Sequence, residues 1–221
     1  RERFGSRKKE GAVLRIAAST IPSQYLLPEI MVRFRERYPG VRLRVMETDS
    51  AGAVEQILSR RADIGFAGTV LEEKQCVYIP FYQDELVVII PGEGLEGPES
   101  AAETAWIRRM PVILREEGSG TRKEAQRLLR QMGIELSELN IVASIQNQET
   151  IKRSVRNGMG ISILSRLAAE DEIRSGVLRA VPLGETGGKR NINLVFDRRS
   201  LHSTEAEKLI DLVREMYPDN V

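Results

Sequence analysis

The stretch LRIAASTIPSQYLLPEIMVRFRERYPGVRLRVMETDSAGAVEQILSRRADIGFAG, residues 14–68, sets the architecture. Its first apolar run, Val13–Ala17, has the length and composition of a buried strand. From Gln24 to Tyr38 the apolar residues Leu27, Ile30, Met31, Phe34 and Tyr38 fall three or four apart, the spacing of one helix face. Pro39 and Gly40 stop that helix. Val41, Leu43 and Val45 then alternate with Arg42 and Arg44, which predicts a strand burying one face. Ser50 is placed to cap a helix through about Arg60 with Val54, Ile57 and Leu58 inward, and Ala62–Ala67 reads as a short strand.

Working outward, the scheme repeats. Val77–Phe81 and the continuous apolar run Glu85–Pro91 read as two strands. Pro111–Leu114 is a strand, and the turn GSGT (Gly118–Thr121) opens a helix with Ala125, Leu128, Leu129 and Met132 on one face. Ile141–Ile145 is a strand, after which Asn147 can cap a helix ending at Gly158. Further strands are expected at Ile161–Leu164, Val177–Val181 and Asn191–Phe196. Thr204 and Glu207 look like a capping box for the last helix. Strand–helix alternation of this regularity predicts an α/β protein with mainly parallel sheets covered by helices.

Composition narrows the function. The 33 basic and 32 acidic side chains leave a formal charge of +1, without the basic excess of a chain that binds nucleic acid by itself. No apolar run approaches the roughly 18 residues of a membrane span. One cysteine, Cys76, excludes an internal disulfide and fits a reducing, cytoplasmic setting. Cys76 and the one histidine, His202, cannot assemble a zinc site of the usual ligand set, so no metal and no cofactor is expected. His202 reads as an exposed loop histidine rather than a triad member. Residues 1–11, RERFGSRKKEG, read as a charged linker stub continuing from an upstream segment, and they lack the apolar core of a signal peptide.

What recurs is a polar, capping-type turn between a strand and a helix: Ser19-Thr20, Ser50, Ser119-Gly120-Thr121 and Asn147-Gln148. In open parallel sheets ligands bind beyond the carboxyl ends of the strands, where such turns lie. Helix N-termini there present unpaired N–H groups and a positive partial charge, and a hydroxyl adds a donor without a formal charge. Each turn alone is an ordinary cap; several facing one gap would hold a carboxylate, sulfate or phosphate-like group. GSGT is the strongest, because two glycines let backbone approach a ligand, although it lacks the lysine of a Walker loop. No catalytic set is found: Asp63 and Glu116-Glu117 have no second acid or base placed beside them by spacing. Trp106 and Tyr25 read as packing residues.

Residues 14–68 resemble the effector-binding domain of LysR-type transcriptional regulators. The "ST…YLLP" turn, the "F…YPGV" junction and the "L…ADIGF" strand carry the likeness, joined by QNQETIKRSVRNGMGISILS at residues 146–165. The resemblance covers about residues 12–217, and GSGTR is most similar to members controlling sulfur assimilation or carbon fixation. It implies two Rossmann-like lobes hinged on two crossover strands, as in type 2 periplasmic binding proteins. Lobe I would be 12–83 plus 196–221, and lobe II 84–195. A small anionic effector would sit between the lobes, touching Ser19, Thr20, Ser119, Gly120, Thr121, Gln146 and Gln148. Many members carry a hydroxyl residue where this chain has Ile21 and Pro22, so its first loop offers fewer donors.

The resemblance further implies a homodimer or homotetramer that contacts promoter DNA only through an N-terminal winged helix-turn-helix domain outside this sequence, with no membrane partner. The competing readings on the same fold are a solute-binding protein of a transporter, which would be monomeric, and an enzyme, which would need a convergent acid/base pair.

Overall fold

The structure, a computed structural model, describes residues 11–98, 100–185, 187–200 and 203–218. The expected stub at residues 1–10 and His202 lie outside the described residues.

β1 (Val13–Ser19) pairs in parallel with β2 (Arg42–Thr48) on one side and β3 (Ile64–Ala67) on the other. Between them lie the first helix, which opens on a wide π turn at Pro22–Leu26 before α1 (Leu27–Arg37), and α2 (Ser50–Leu58). Alternation along β1 feeds two layers. Leu14, Ile16 and Ala18 face a core shared with α1, and Ala17 faces α2 through Ala53 and Ile57.

β4 (Cys76–Pro91) then crosses to a second parallel set. That set follows α3 (Thr104–Arg109): β5 (Pro111–Arg115), α4 (Gly120–Gln131), β6 (Asn140–Ile145), α5 (Gln148–Arg156) and β7 (Ile161–Ser165). α6 (Arg166–Arg174) and β8 (Leu178–Pro182) lead into β9 (Gly188–Asp197), which returns the chain to β3 before α7 (Thr204–Met216) packs on the first core. The sheet order is β2-β1-β3-β9-β4-β7-β5-β6, with β8 also on β4. The sheet is therefore mixed: two parallel triads, β2-β1-β3 and β7-β5-β6, joined through the antiparallel strands β9 and β4.

Four details differ from the sequence expectation. Val77–Phe81 and Glu85–Pro91 are one strand, because Tyr82, Gln83 and Asp84 stay paired with Ile192, Asn191 and Arg190. The register shifts between Pro80 and Tyr82, where proline has no N–H to give the ladder. β2 buries little: it is an edge strand, and Val45 and Met46 stay 40% and 43% exposed. The caps of α2 and α7 are Asp49 and Ser203, accepting from the N–H groups of Gly52 at 2.6 Å and Ala206 at 3.1 Å; Ser50 and Thr204 are already helical.

Phe81 sits on β4 just before the crossing, fully buried, edge-on to Phe66 at 5.6 Å and to Tyr217 at 5.3 Å. It ties the crossing strand to the β3 and α7 sides of the first core. Phe81→Ala should cost about 3–5 kcal/mol in urea denaturation, through lost burial and the cavity left behind.

Candidate functional site

Besides α6 after β7, four helices start at the carboxyl ends of parallel strands: the π turn after β1, α2 after β2, α4 after β5 and α5 after β6. Short polar residues with extended backbone cap three of them. Asp49 caps α2; Ser119 Oγ accepts from the Arg122 N–H at 3.3 Å; Asn147 Oδ1 accepts from the Thr150 N–H at 3.0 Å. The first helix has no side-chain cap, and Ser19 Oγ instead accepts from the Gly68 N–H at 3.2 Å, fastening the loop after β3.

These starts line two adjoining cavities. The inner one, about 20 Å³, has room for about one water-sized group. Ser19, Thr20, Ser50, Ser119 and Thr121 give it hydroxyls, Asp49 a carboxylate, and Arg115 and Arg190 guanidinium groups; Gly68, Gly120 and Ile21 complete the wall. Gly120 packs closely here: an added Cβ would lie 2.7 Å from Thr69 Oγ1 and 2.9 Å from Ser50 Oγ, so both side chains would have to shift. The outer cavity, about 500 Å³, shares Thr20, Asp49 and Arg115 with the inner one and adds Gln24, Glu47, Thr48, Glu116, Gln146, Asn147 and Gln148.

All seven site residues named from the sequence line these cavities: Ser19, Thr20, Ser119, Gly120 and Thr121 the inner one, Thr20 again with Gln146 and Gln148 the outer. Two of the buried side chains there have no protein partner. They are the Ser50 hydroxyl and both ends of the Gln148 amide, on residues only 3% and 5% exposed. A buried polar atom left unpaired costs on the order of 1–3 kcal/mol, so these mark places made for a further polar group.

Sequence reasoning missed Arg115, Arg190 and Asp49. Arg115 ends β5 and is chelated by its neighbour Glu116, Nε–Oε2 at 2.9 Å and Nη2–Oε1 at 3.1 Å. Arg190 on β9 pairs with Asp84 on β4, Nε–Oδ2 at 2.9 Å, and its Nη2 reaches Thr121 Oγ1 at 3.5 Å. Asp84 is held further by the Ser165 hydroxyl at 2.7 Å and the Glu85 N–H at 2.8 Å. Each guanidinium thus already has a carboxylate, and the inner cavity is rich in donors without carrying a large net charge. The signal for Arg115 was its place directly after the apolar run Val112–Leu114, at the strand's carboxyl end.

The acids considered for catalysis serve structure. Asp63 takes three hydrogen bonds from Arg15, the shortest 2.6 Å, and Glu116 holds Arg115. Tyr25 is half-buried, its hydroxyl 3.5 Å from the Ala168 carbonyl on α6, and burial raises its pKa. Trp106 packs against the second core. Among the described residues no three His, Cys, Asp or Glu side chains cluster to hold a metal ion, and no helix is long and apolar enough to cross a membrane.

Two α/β halves on crossing strands, with helix starts facing a shared gap, define a ligand-binding module of the type 2 periplasmic-binding-protein kind. The family profile for the LysR substrate binding domain matches residues 7–218, and the chain belongs to that family. Among relatives, it is 31% identical over 208 residues to the phosphonates import ATP-binding protein PhnC of Anaeromyxobacter dehalogenans, covering 94% of this chain and 42% of that protein. It is 35% identical over 180 residues to the uncharacterized HTH-type transcriptional regulator YeiE of Escherichia coli, covering 80% of this chain and 59% of YeiE. The chain thus spans about half the length of these relatives. The Synechocystis PCC6803 CcmR regulatory domain, in complex with 2-PG, shares the fold with a TM-score of 0.85 at 24% identity, over 94% of this chain and 98% of that one.

The Asp84–Arg190 pair yields a stability prediction. Arg190→Met strands a buried carboxylate and should cost about 3–5 kcal/mol in urea denaturation, while Asp84→Leu/Arg190→Met should recover most of that loss. A single substitution costing under about 1 kcal/mol would show that the pair is not a desolvated ion pair.

Proposed function

We propose that this chain is the effector-sensing domain of a LysR-type transcriptional regulator, and that it senses a small oxyanion. One oxygen of the anion enters the inner cavity, the rest of the group lying toward the outer one, against the starts of the first helix, α2 and α4, with Ser19, Thr20, Ser119, Gly120 and Thr121 as contacts. Gln146 and Gln148 meet the remainder of the effector in the outer cavity. The buried, unpartnered Ser50 hydroxyl carries this reading: it is a donor enclosed among helix N-termini with no protein acceptor. The name of PhnC, a phosphonate importer component, and the 2-PG held by the CcmR regulatory domain point the same way.

In the parent protein the signal passes to DNA through a separate winged helix-turn-helix domain and acts in the cytoplasm. The lobes divide at the crossover strands, 12–83 with 196–221 against 84–195. Closure of the gap rearranges a homodimer or homotetramer. The two sheet edges support self-association. β2 leaves Val45 and Met46 exposed beside Val32 of α1 (58% exposed), and β6, at the opposite edge, leaves Ile141 and Val142 exposed. A two-fold arrangement that sets one copy's β2 edge against the other's β6 edge covers both patches twice. A transporter's solute-binding protein would instead be monomeric.

Inorganic phosphate, sulfate, methylphosphonate and small carboxylates, each in a thermal-shift series, test the sensor reading. A bound anion at about one hundred times its Kd adds about 2.7 kcal/mol, which for a domain of this size raises Tm by about 5–10 °C. Unchanged melting across the whole series would remove the anion reading. Sedimentation velocity checks the second part: the wild-type chain should be dimeric or larger, and Met46→Glu should shift it towards monomer.

A further inference from the structure

We infer that the inner cavity selects phosphoryl over sulfuryl oxyanions, and that the carboxylate of Asp49 makes the distinction. This rests on the anion reading above and names the chemical class of the effector.

Asp49 lines both cavities and makes no ion pair among the described residues. Its Oδ1 is engaged as the α2 cap, accepting the Gly52 N–H at 2.6 Å. Its Oδ2 faces the GSGT turn across the gap, close enough that a Cβ added to Gly118 would lie 3.0 Å away. That oxygen therefore stands between the helix start of one lobe and the turn of the other. The next residue, Ser50, supplies the second observation: its buried hydroxyl, at the wall of the same cavity, has no partner.

The remaining charges do not cancel Asp49. Arg115 is taken by Glu116 and Arg190 by Asp84, so the carboxylate at the cavity wall is the one left without a counter-charge among its lining side chains. An ionised carboxylate can only accept hydrogen bonds. A group that fills this cavity must therefore offer acceptors to the hydroxyls and N–H groups, and one donor to Asp49. Phosphate, phosphonates and phosphate monoesters do both, because their second dissociation lies near neutrality and one oxygen keeps a proton in the bound form. Sulfate and sulfonates hold no proton in this range. They would set oxygen lone pairs against Oδ2 at a wall that is partly shielded from water.

The size of the effect follows from how sites treat a missing hydroxyl. A site built to hydrogen-bond a donor rejects the analogue that lacks it, because its own buried group is then left unpaired. The comparison here is stringent, since each sulfuryl ion matches its phosphoryl partner in shape.

Isothermal titration of the whole 221-residue chain with inorganic phosphate, sulfate, methylphosphonate and methanesulfonate tests this. The wild-type chain should prefer phosphate to sulfate, and methylphosphonate to methanesulfonate, by on the order of a hundredfold or more. Asp49→Asn keeps the α2 cap, because asparagine accepts at that position as well as aspartate does, and its amide can donate to the ion. That variant should bring each pair within about tenfold or reverse it. Ser50→Ala should weaken all four ions while leaving the preference in place, which separates loss of a general donor from loss of discrimination. Equal binding of the sulfuryl ions by the wild type, or a preference that survives Asp49→Asn, overturns the inference and leaves the anion reading intact. No binding of any of the four to the wild type overturns the inference, and the carboxylates of the thermal-shift series then decide the anion reading.

Discussion

The antiparallel pairing of β4 with β9 is the constraint on which both halves of the molecule depend. It runs from Cys76 against Asp197 to Leu86 against Gly188, and among the described residues it is the ladder through which the two parallel triads are joined. Near its second-lobe end lies a cross-strand ion pair, Asp84 opposite Arg190, with side chains only 1% and 4% exposed. Charges that deep are stable only when every partner is in place, and here Ser165 and the Glu85 backbone complete the shell around Asp84. The joint is consequently stiff in register yet carries polar groups that reach outward. Arg190 touches Thr121 at the start of α4 and lies beside Gly68 in the loop after β3, where an added Cβ would stand 3.3 Å from Nη1. One side chain thus connects the hinge to both rims of the inner cavity.

That arrangement leaves a cleft rich in donors without a large positive charge. Free guanidinium groups in a small enclosed space would carry a heavy desolvation cost. Pairing each with a carboxylate avoids that cost and leaves recognition to hydroxyls and to N–H groups at the helix starts. Local bonds hold those donors in place: Asp49, Ser119 and Asn147 cap α2, α4 and α5, and Ser19 is fastened to the Gly68 N–H. On the proposed anion reading, the cavity's preference would be set by donor placement, with formal charge entering through Asp49, which makes no ion pair among the described residues.

How far the sequence revealed this depends on how local each signal was. The strand–helix rhythm of residues 14–68 and the GSGT turn are local, and the structure places the corresponding elements within a residue or two. The convergence of Ser19, Ser119 and Gln148 on one gap follows from a single rule about parallel strands, so it too was legible. Arg190 and Asp84 were not, because they are 106 positions apart and a charged residue inside an alternating strand reads as solvent-facing. Asp49 was hidden differently: Asp49 and Ser50 are equally good caps by residue type, and only the extended backbone at Asp49 decides between them. Assigning the cap to Ser50 also hid the carboxylate in the cavity wall. On β2 the alternation of Val and Arg was real, but whether an alternating strand has a neighbour on its far side is a property of the whole sheet.

The direct polar contacts between the halves across the gap are long. Thr69 Oγ1 donates to the Gly120 carbonyl at 3.2 Å, and the Tyr25 hydroxyl to the Ala168 carbonyl at 3.5 Å. Bonds at the upper end of the distance range contribute at most the lower part of the usual 0.5–1.5 kcal/mol each. The stiff elements, the two cores and the β4–β9 ladder, do not resist a change in gap width as they would resist unfolding. A ligand can bias such an equilibrium only by its differential affinity for the open and closed arrangements. On the proposed anion reading, an ion held by Thr20 and Ser50 from one side and by Ser119 and Thr121 from the other would make its full set of contacts only when the gap is narrow. Such ligand-mediated bridges would outweigh the weak direct ones.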